Sequence, residues 1–196
     1  MSETHDRISP AGVLLVMELL GHYGHQPESV AHRTSLSASE KADIVGPGLQ
    51  VQKTLTLAVS GSVLMLTGVG DFRVNRPTLR KALRGLGRPA SAKQVRHMHL
   101  NPPEVVPERD FRLRTGMVSP FVPPGINPPI DGLVIIKDAG TGCDVAVSLT
   151  LGGSLPIPAK ILPVIVQRYA EAAYPEVPVV SVDYEGVEDV RDRERP

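Results

Sequence analysis

Residues 51–59, Val-Gln-Lys-Thr-Leu-Thr-Leu-Ala-Val, alternate with a period of two. Val51, Lys53, Leu55 and Leu57 fall on one side and Gln52, Thr54, Thr56 and Ala58 on the other, the pattern of a half-buried strand. A chain with such a stretch must build a sheet around it. Lys53 is the exception, an ammonium on the apolar side. Burying an unpaired ammonium is expensive, so a core-facing lysine has an anion partner, a shifted pKa or a task. Two readings stay open at this point: a lysine near a strand end that snorkels to water, or a functional one.

At 196 residues the expectation is one domain over residues 1–184, with a charged and mobile tail at 185–196. Cys143 is the sole cysteine, so no internal disulfide forms; a small, partly buried side chain in a reducing, cytoplasmic protein is expected. Residues 11–20 are apolar but follow Glu3, His5 and Asp6, which does not read as a signal peptide, and no run is long enough to span a bilayer. The 21 basic and 21 acidic residues balance, but they are segregated. Eleven basic residues against three acidic ones lie between Arg73 and Arg114, whereas eight acidic residues face three arginines from Glu171 onward. Such a neutral chain can still carry a basic face for a phosphate backbone; the alternative is a solvated helix face met by the acidic tail.

Along the chain, Ser9-Pro10 starts a helix with Val13, Leu14, Met17 and Leu20 at helical spacing and Gly21 at its end. Residues 30–34 read as a short strand or extended link. Ser37 and Glu40 form a capping box for a short helix ending at Gly46-Pro47-Gly48. After the Lys53 strand, Gly61-Ser62 turns the chain into an apolar partner strand, residues 63–69. A helix from Pro77 to Leu86 turns Leu79, Leu83 and Leu86 inward and Arg80, Lys81 and Arg84 outward. Residues 94–100 read as a strand, and Asn101-Pro102-Pro103-Glu104 as a helix start. Residues 132–137, 144–149 and 177–184 suggest further strands, and 163–173 the last helix. His22 with His25, and His97 with His99, lack a third ligand, so no metal is expected. The glycines of Asp138-Ala139-Gly140-Thr141-Gly142 precede no helix, which removes a nucleotide fingerprint.

Several pieces together resemble the YbaK/prolyl-tRNA-synthetase-associated editing domains. They are Gln52-Lys53-Thr54-Leu55 leading through Val59-Ser60-Gly61, then Asp71-Phe72-Arg73-Val74 with the basic helix after it. The loop Thr115-Gly116 to Ser119-Pro120-Phe121 and the pair Gly152-Gly153 follow in the same order. The resemblance covers roughly residues 10–172. It implies an α/β (mixed α+β) fold: a curved, partly barrel-like mixed sheet with helices around it. The implied activity is hydrolysis of the ester joining a wrong amino acid to the terminal ribose of a tRNA, by a free-standing deacylase without a cofactor.

By the same resemblance Lys53 engages the 3′-terminal nucleotide or the ester, and the loop from Gly116 to Pro120 bounds the aminoacyl pocket. Lys53, Gly116 and Ser119 are the catalytic candidates. Thr34, Met117, Val118, Pro120, Phe121, Gly152 and Gly153 are the substrate-contacting ones, and Arg73, Arg76, Arg80, Lys81 and Arg84 would face tRNA phosphates. The partners implied are the acceptor end of an aminoacyl-tRNA and a synthetase. The aminoacyl ester is already activated, so an oriented water, backbone N–H donors and a cation suffice. No nucleophile–base pair is evident, since Ser119 has no histidine near it in sequence. Two other functions fit: a non-catalytic binder of tRNA or synthetase, and an enzyme for a different acyl ester. Unlike some members, the chain has no histidine after His99 and no acidic residue in Ser154-Leu155-Pro156-Ile157-Pro158.

Overall fold

The computed structural model describes residues 9–34, 38–46, 48–70, 72–113, 118–137, 143–150 and 153–184. Within them the chain runs α1 (Pro10–His22), β1 (Val30–Ala31), α2 (Ala38–Val45), β2 (Leu49–Val59), β3 (Ser62–Val69), α3 (Arg76–Gly85) and α4 (Ala92–Val95). It continues through β4 (Met98–Leu100), α5 (Pro107–Asp110), β5 (Gly132–Lys137), β6 (Asp144–Thr150), β7 (Gly153–Pro158), α6 (Leu162–Ala173) and β8 (Val179–Asp183). The strands form one mixed sheet in the order β1-β7-β6-β2-β3-β5-β8, with β4 added to β2. The fold class is the expected mixed α/β. Among the described residues the pairings leave β1 and β8 as edges, so the sheet is open rather than a closed barrel.

Strand β2 lies at its centre. The loop Ser60-Gly61 joins it to β3, with φ of 53° and 74° at its two residues. That left-handed pair suits the right-handed twist of a tight hairpin, and glycine at the second position carries no Cβ penalty. The hairpin is antiparallel from Val59↔Ser62 to Gln52↔Val69. Along its other edge β2 pairs in parallel with β6 over Leu49–Val51 and antiparallel with β4 over Leu57–Val59. Between these contacts, residues 52–56 have no strand partner on that edge among the described residues.

The pleat separates two cores. On one face Met65, Val145, Val147, Leu155 and Ile157 pack with Val16 and Leu20 of α1 and Ile165, Val166 and Tyr169 of α6. On the other, Leu57, Leu64 and Leu66 pack with Phe72, Leu79 and Leu83, and Val95 of α4. Arg88 ties the hairpin to β5: its guanidinium pairs with Asp131 at 2.9 Å and donates to Ser62 Oγ, while Asp131 accepts from the Val63 N–H.

Three expectations are corrected, and one strand not foreseen is added. Helix α1 buries Gly12, Val16 and Leu20, a line at i+4 spacing, and leaves Leu14 71% exposed. Residues 94–100 are not one strand: Ser91 and Gln94 form a capping box that winds α4, and extension begins only at Met98. Asn101 does not cap a helix. It takes a left-handed turn with φ 49°, its N–H donating to Thr56 O, and α5 starts later, at Pro107. Residues 153–158 form a strand despite Pro156 and Pro158, because β1 covers only two residues of that edge and a missing N–H elsewhere on it leaves no rung broken.

Candidate active site

Lys53 faces the same side of the sheet as Leu57, because β2 alternates, and its antiparallel neighbour is Gly68. The missing side chain at Gly68 makes room: a Cβ there would lie 3.0 Å from the Phe72 ring. The ring fills that space, and Lys53 Nζ stands 5.5 Å from its centroid while donating to the Phe72 carbonyl at 3.3 Å. The ammonium is therefore half-buried, resting on an aromatic face and held by a carbonyl, rather than waving in solvent.

Helix α2 covers the neighbouring part of this face. Lys41 on α2 is 3% exposed, and its Nζ donates to Ser148 Oγ on β6 at 2.6 Å. Desolvation lowers its pKa to about 8. Ser148 and Ala146 point away from Val145 and Val147, which belong to the opposite core, so Ser148 shares the Lys53 face. The β2–β6 rungs end at Val51↔Ala146, two residues before Lys53 and Ser148, which therefore share a face without being paired. Across β6, Ser148 pairs with Ser154 of β7, whose hydroxyl is fully enclosed and lies 2.8 Å from His32 Nε2. His32 Nδ1 is 2.8 Å from the Arg33 carbonyl, which can only accept. In the neutral ring Nδ1 therefore carries the proton, and Nε2 accepts from Ser154. Lys41, Ser148, Ser154 and His32 thus form a polar row.

The row escaped sequence reasoning. Lys41 sits on a short helix, where a lysine reads as solvated. Ser148 did leave a signal: Asp144, Ala146 and Ser148 alternate with Val145 and Val147, marking a small and polar side of β6.

Helix α3 lies on this same face. Asn75 caps it by accepting from the Thr78 N–H, and its strongly apolar side holds Leu79, Ala82 and Leu83. Arg76, Arg80, Lys81 and Arg84 point outward and, with Pro77 and Ala92, line a shallow groove of about 290 Å³. Arg73 is exposed, its N–H donating to the Tyr184 hydroxyl.

The loop after residue 117 lies elsewhere. Phe121 and Val122 are fully enclosed in the core on the α6 face, Phe121 edge-on to Tyr169 at 5.0 Å. The buried hydroxyls of Tyr169 and Tyr174 donate to the Val122 and Pro120 carbonyls. Burial pushes both phenols well above their ordinary pKa, with Tyr169 adding to the effect at Tyr174. Ser119 is 4% exposed and its Oγ accepts from the Phe121 N–H. The described part of the loop is therefore anchored by its side chains on the opposite face from Lys53, and the Phe121 ring is core. Val118 is half-buried against that core, Thr34 is exposed just after β1, and Gly153 opens β7. Gly116, Met117 and Gly152 lie outside the described residues, as do Ser37 of the expected capping box and residues 185–196. His97 and His99 are exposed, and among the described residues no three metal-binding side chains converge. No helix in them is long and apolar enough to cross a membrane.

No protein-family model matches the chain, and no curated protein matches it in sequence. In fold it is similar to the crystal structure of a candidate trans-editing enzyme for prolyl-tRNA synthetase, with a TM-score of 0.50 and 19% identity over 90% of this chain and 99% of that one. A structure from epitope backbone grafting onto scaffold proteins gives a TM-score of 0.48 at 16% identity over 90% and 99%. The first likeness shows a shared fold.

Proposed function

We propose that this chain is a free-standing aminoacyl-tRNA deacylase that removes a wrong amino acid from tRNA in the cytoplasm. The observation that carries the proposal is the position of Lys53, a cation set on Phe72 at the unpaired stretch of β2, in a fold shared with a candidate editing enzyme. Lys53 supplies positive charge to the 3′-terminal nucleotide or to the ester oxygen as negative charge develops there. Gly116, Met117, Val118 and Ser119 supply the boundary of the aminoacyl site, with backbone N–H groups as donors and the buried Pro120-Phe121-Val122 segment as its anchor. Thr34, Gly152 and Gly153 complete the substrate contacts. The groove of Arg76, Arg80, Lys81 and Arg84, with Arg73 beside it, receives acceptor-stem phosphates on the face where Lys53 lies. A synthetase is the partner expected to hand over the charged tRNA.

The test is a panel of correctly and incorrectly charged tRNAs incubated with the purified chain while ester loss is followed. One or a few mischarged species are expected to lose their amino acid. Replacing Lys53 by alanine is expected to lower that rate at least a hundredfold with the circular dichroism spectrum unchanged. Undiminished turnover in the alanine variant, or no turnover on any charged tRNA, rejects the proposal.

A further inference from the structure

Among the described residues, Lys41 is enclosed without a counter-charge. The ion pairs between described residues are Arg88–Asp131, Arg109–Asp110 and Arg168–Glu171, and none involves it. Glu40 and Asp43 of α2, Lys53 of β2 and Asp144 of β6 are the charged groups on the elements around it, and none pairs with it. Its partner is the Ser148 hydroxyl, 2.6 Å away. An enclosed ammonium held by one neutral oxygen is a poor ion and a good amine. Ser148 is half-buried, whereas Ser154 is fully enclosed and lies against His32. Of the two serines in the row, Ser148 is the one that can be reached.

We infer that Ser148 and Lys41 form a serine–lysine catalytic pair whose substrate class is an activated carboxylic ester. Lys41, as the free amine, takes the hydroxyl proton of Ser148 while Oγ bonds to the carbonyl carbon. The tetrahedral intermediate collapses, the bond to the alcohol oxygen breaks, and Lys41 returns the proton to that oxygen, leaving an acyl-serine. Water then adds to the acyl carbon as Lys41 takes its proton; the C–Oγ bond breaks, and Ser148 recovers the proton. The net change is ester plus water to acid plus alcohol. Lys53, on the same face, is placed to share the negative charge of the intermediate. With a pKa of about 8, about a tenth of Lys41 is free amine at pH 7 and about half at pH 8. That the ester is an aminoacyl-tRNA rests on the function proposed above; the pair itself does not.

A fluorophosphonate probe tests the pair without tRNA, because a reactive serine displaces fluoride and keeps the phosphonyl group. Mass spectrometry is expected to place the adduct on Ser148, with a labelling rate that rises as pH passes through about 8. Ser148→Ala should remove the adduct. Both Lys41→Met and Lys41→Arg should slow it at least tenfold, the second because arginine keeps the charge but cannot release the proton. Melting curves check that each variant is folded. No adduct on Ser148 at pH 9, or labelling of Lys41→Arg at the wild-type rate, overturns the pair. Deacylation that survives unchanged in Ser148→Ala overturns it too, while leaving the tRNA function standing. Labelling in a protein inert to every charged tRNA supports the pair and rejects that function.

Discussion

Lys53 and Lys41 show how differently two lysines can be visible in a sequence. Lys53 interrupts a period-two apolar run, so the alternation alone exposes it. Lys41 is enclosed only because α2 lands over β6, about a hundred residues further along the chain, and no local pattern encodes that landing. Its desolvation has a thermodynamic signature. The folded pKa is about 8 against the ordinary 10.5 of a lysine, so between those values the unfolded chain binds more protons and stability rises with pH. The full span is on the order of 3 kcal/mol. Thermal melts should therefore show a rise in stability above pH 8 that Lys41→Met lacks, and the methionine variant should be the more stable at pH 7. A wild type with no gain in that range would contradict the enclosed ammonium. Gly68 argues a second residue-scale case. An added Cβ would meet Phe72 at 3.0 Å and Ile136 Cβ at 3.1 Å, so Gly68→Ala should destabilise by about 1–3 kcal/mol. It should also push the ring from beneath Lys53, seen as a changed Phe72 ring-proton shift. The role of Phe72 was not legible, because nothing in sequence pairs residue 68 with both 53 and 72.

At the scale of elements, periodicity was a good guide where a helix packs on a sheet by one clear stripe. Helix α3 came out as read, with Leu79 and Leu83 inward and Arg80, Lys81 and Arg84 outward. That arrangement makes a measurable claim. Binding of tRNA should weaken steeply with salt, and changing Arg76, Arg80 and Arg84 together to glutamine should lower the slope of log K against log salt by about 2–3. A slope unchanged by the triple substitution would remove this helix from the interface. Periodicity failed where capping chemistry competed with it. Val95, His97 and His99 alternate like a strand, yet Ser91 and Gln94 satisfy each other's backbone groups and commit the first residues to α4. Helix α6 was found, but not its second function of clamping the loop: Tyr169 and Tyr174 each hold a carbonyl that would otherwise be buried unpaired. Tyr169→Phe should cost about 1–3 kcal/mol, read as a lower denaturation midpoint, since it orphans the Val122 carbonyl.

Over the whole molecule, the class and most of the elements were legible and the sheet order was not. Hairpins declare themselves locally, as the one at Gly61 does, its turn falling one residue before the Gly61-Ser62 expected, but β3–β5, β5–β8 and β2–β6 are parallel pairings between distant segments. Those are decided by which faces two cores can bury, not by any neighbour in sequence. The same non-locality hid the place of Phe121, a substrate contact by the resemblance, whose ring packs into the core on the far face. The three strands on one flank join the rest of the sheet through β2 by only the rungs at Leu49, Gln50 and Val51, next to the stretch that presents Lys53. Few shared bonds make a joint rather than a weld. Amide exchange should accordingly reach β6 and β7 before β3 and β5, and small rotations about that joint would change the gape between Ser148 and Lys53 without breaking either core.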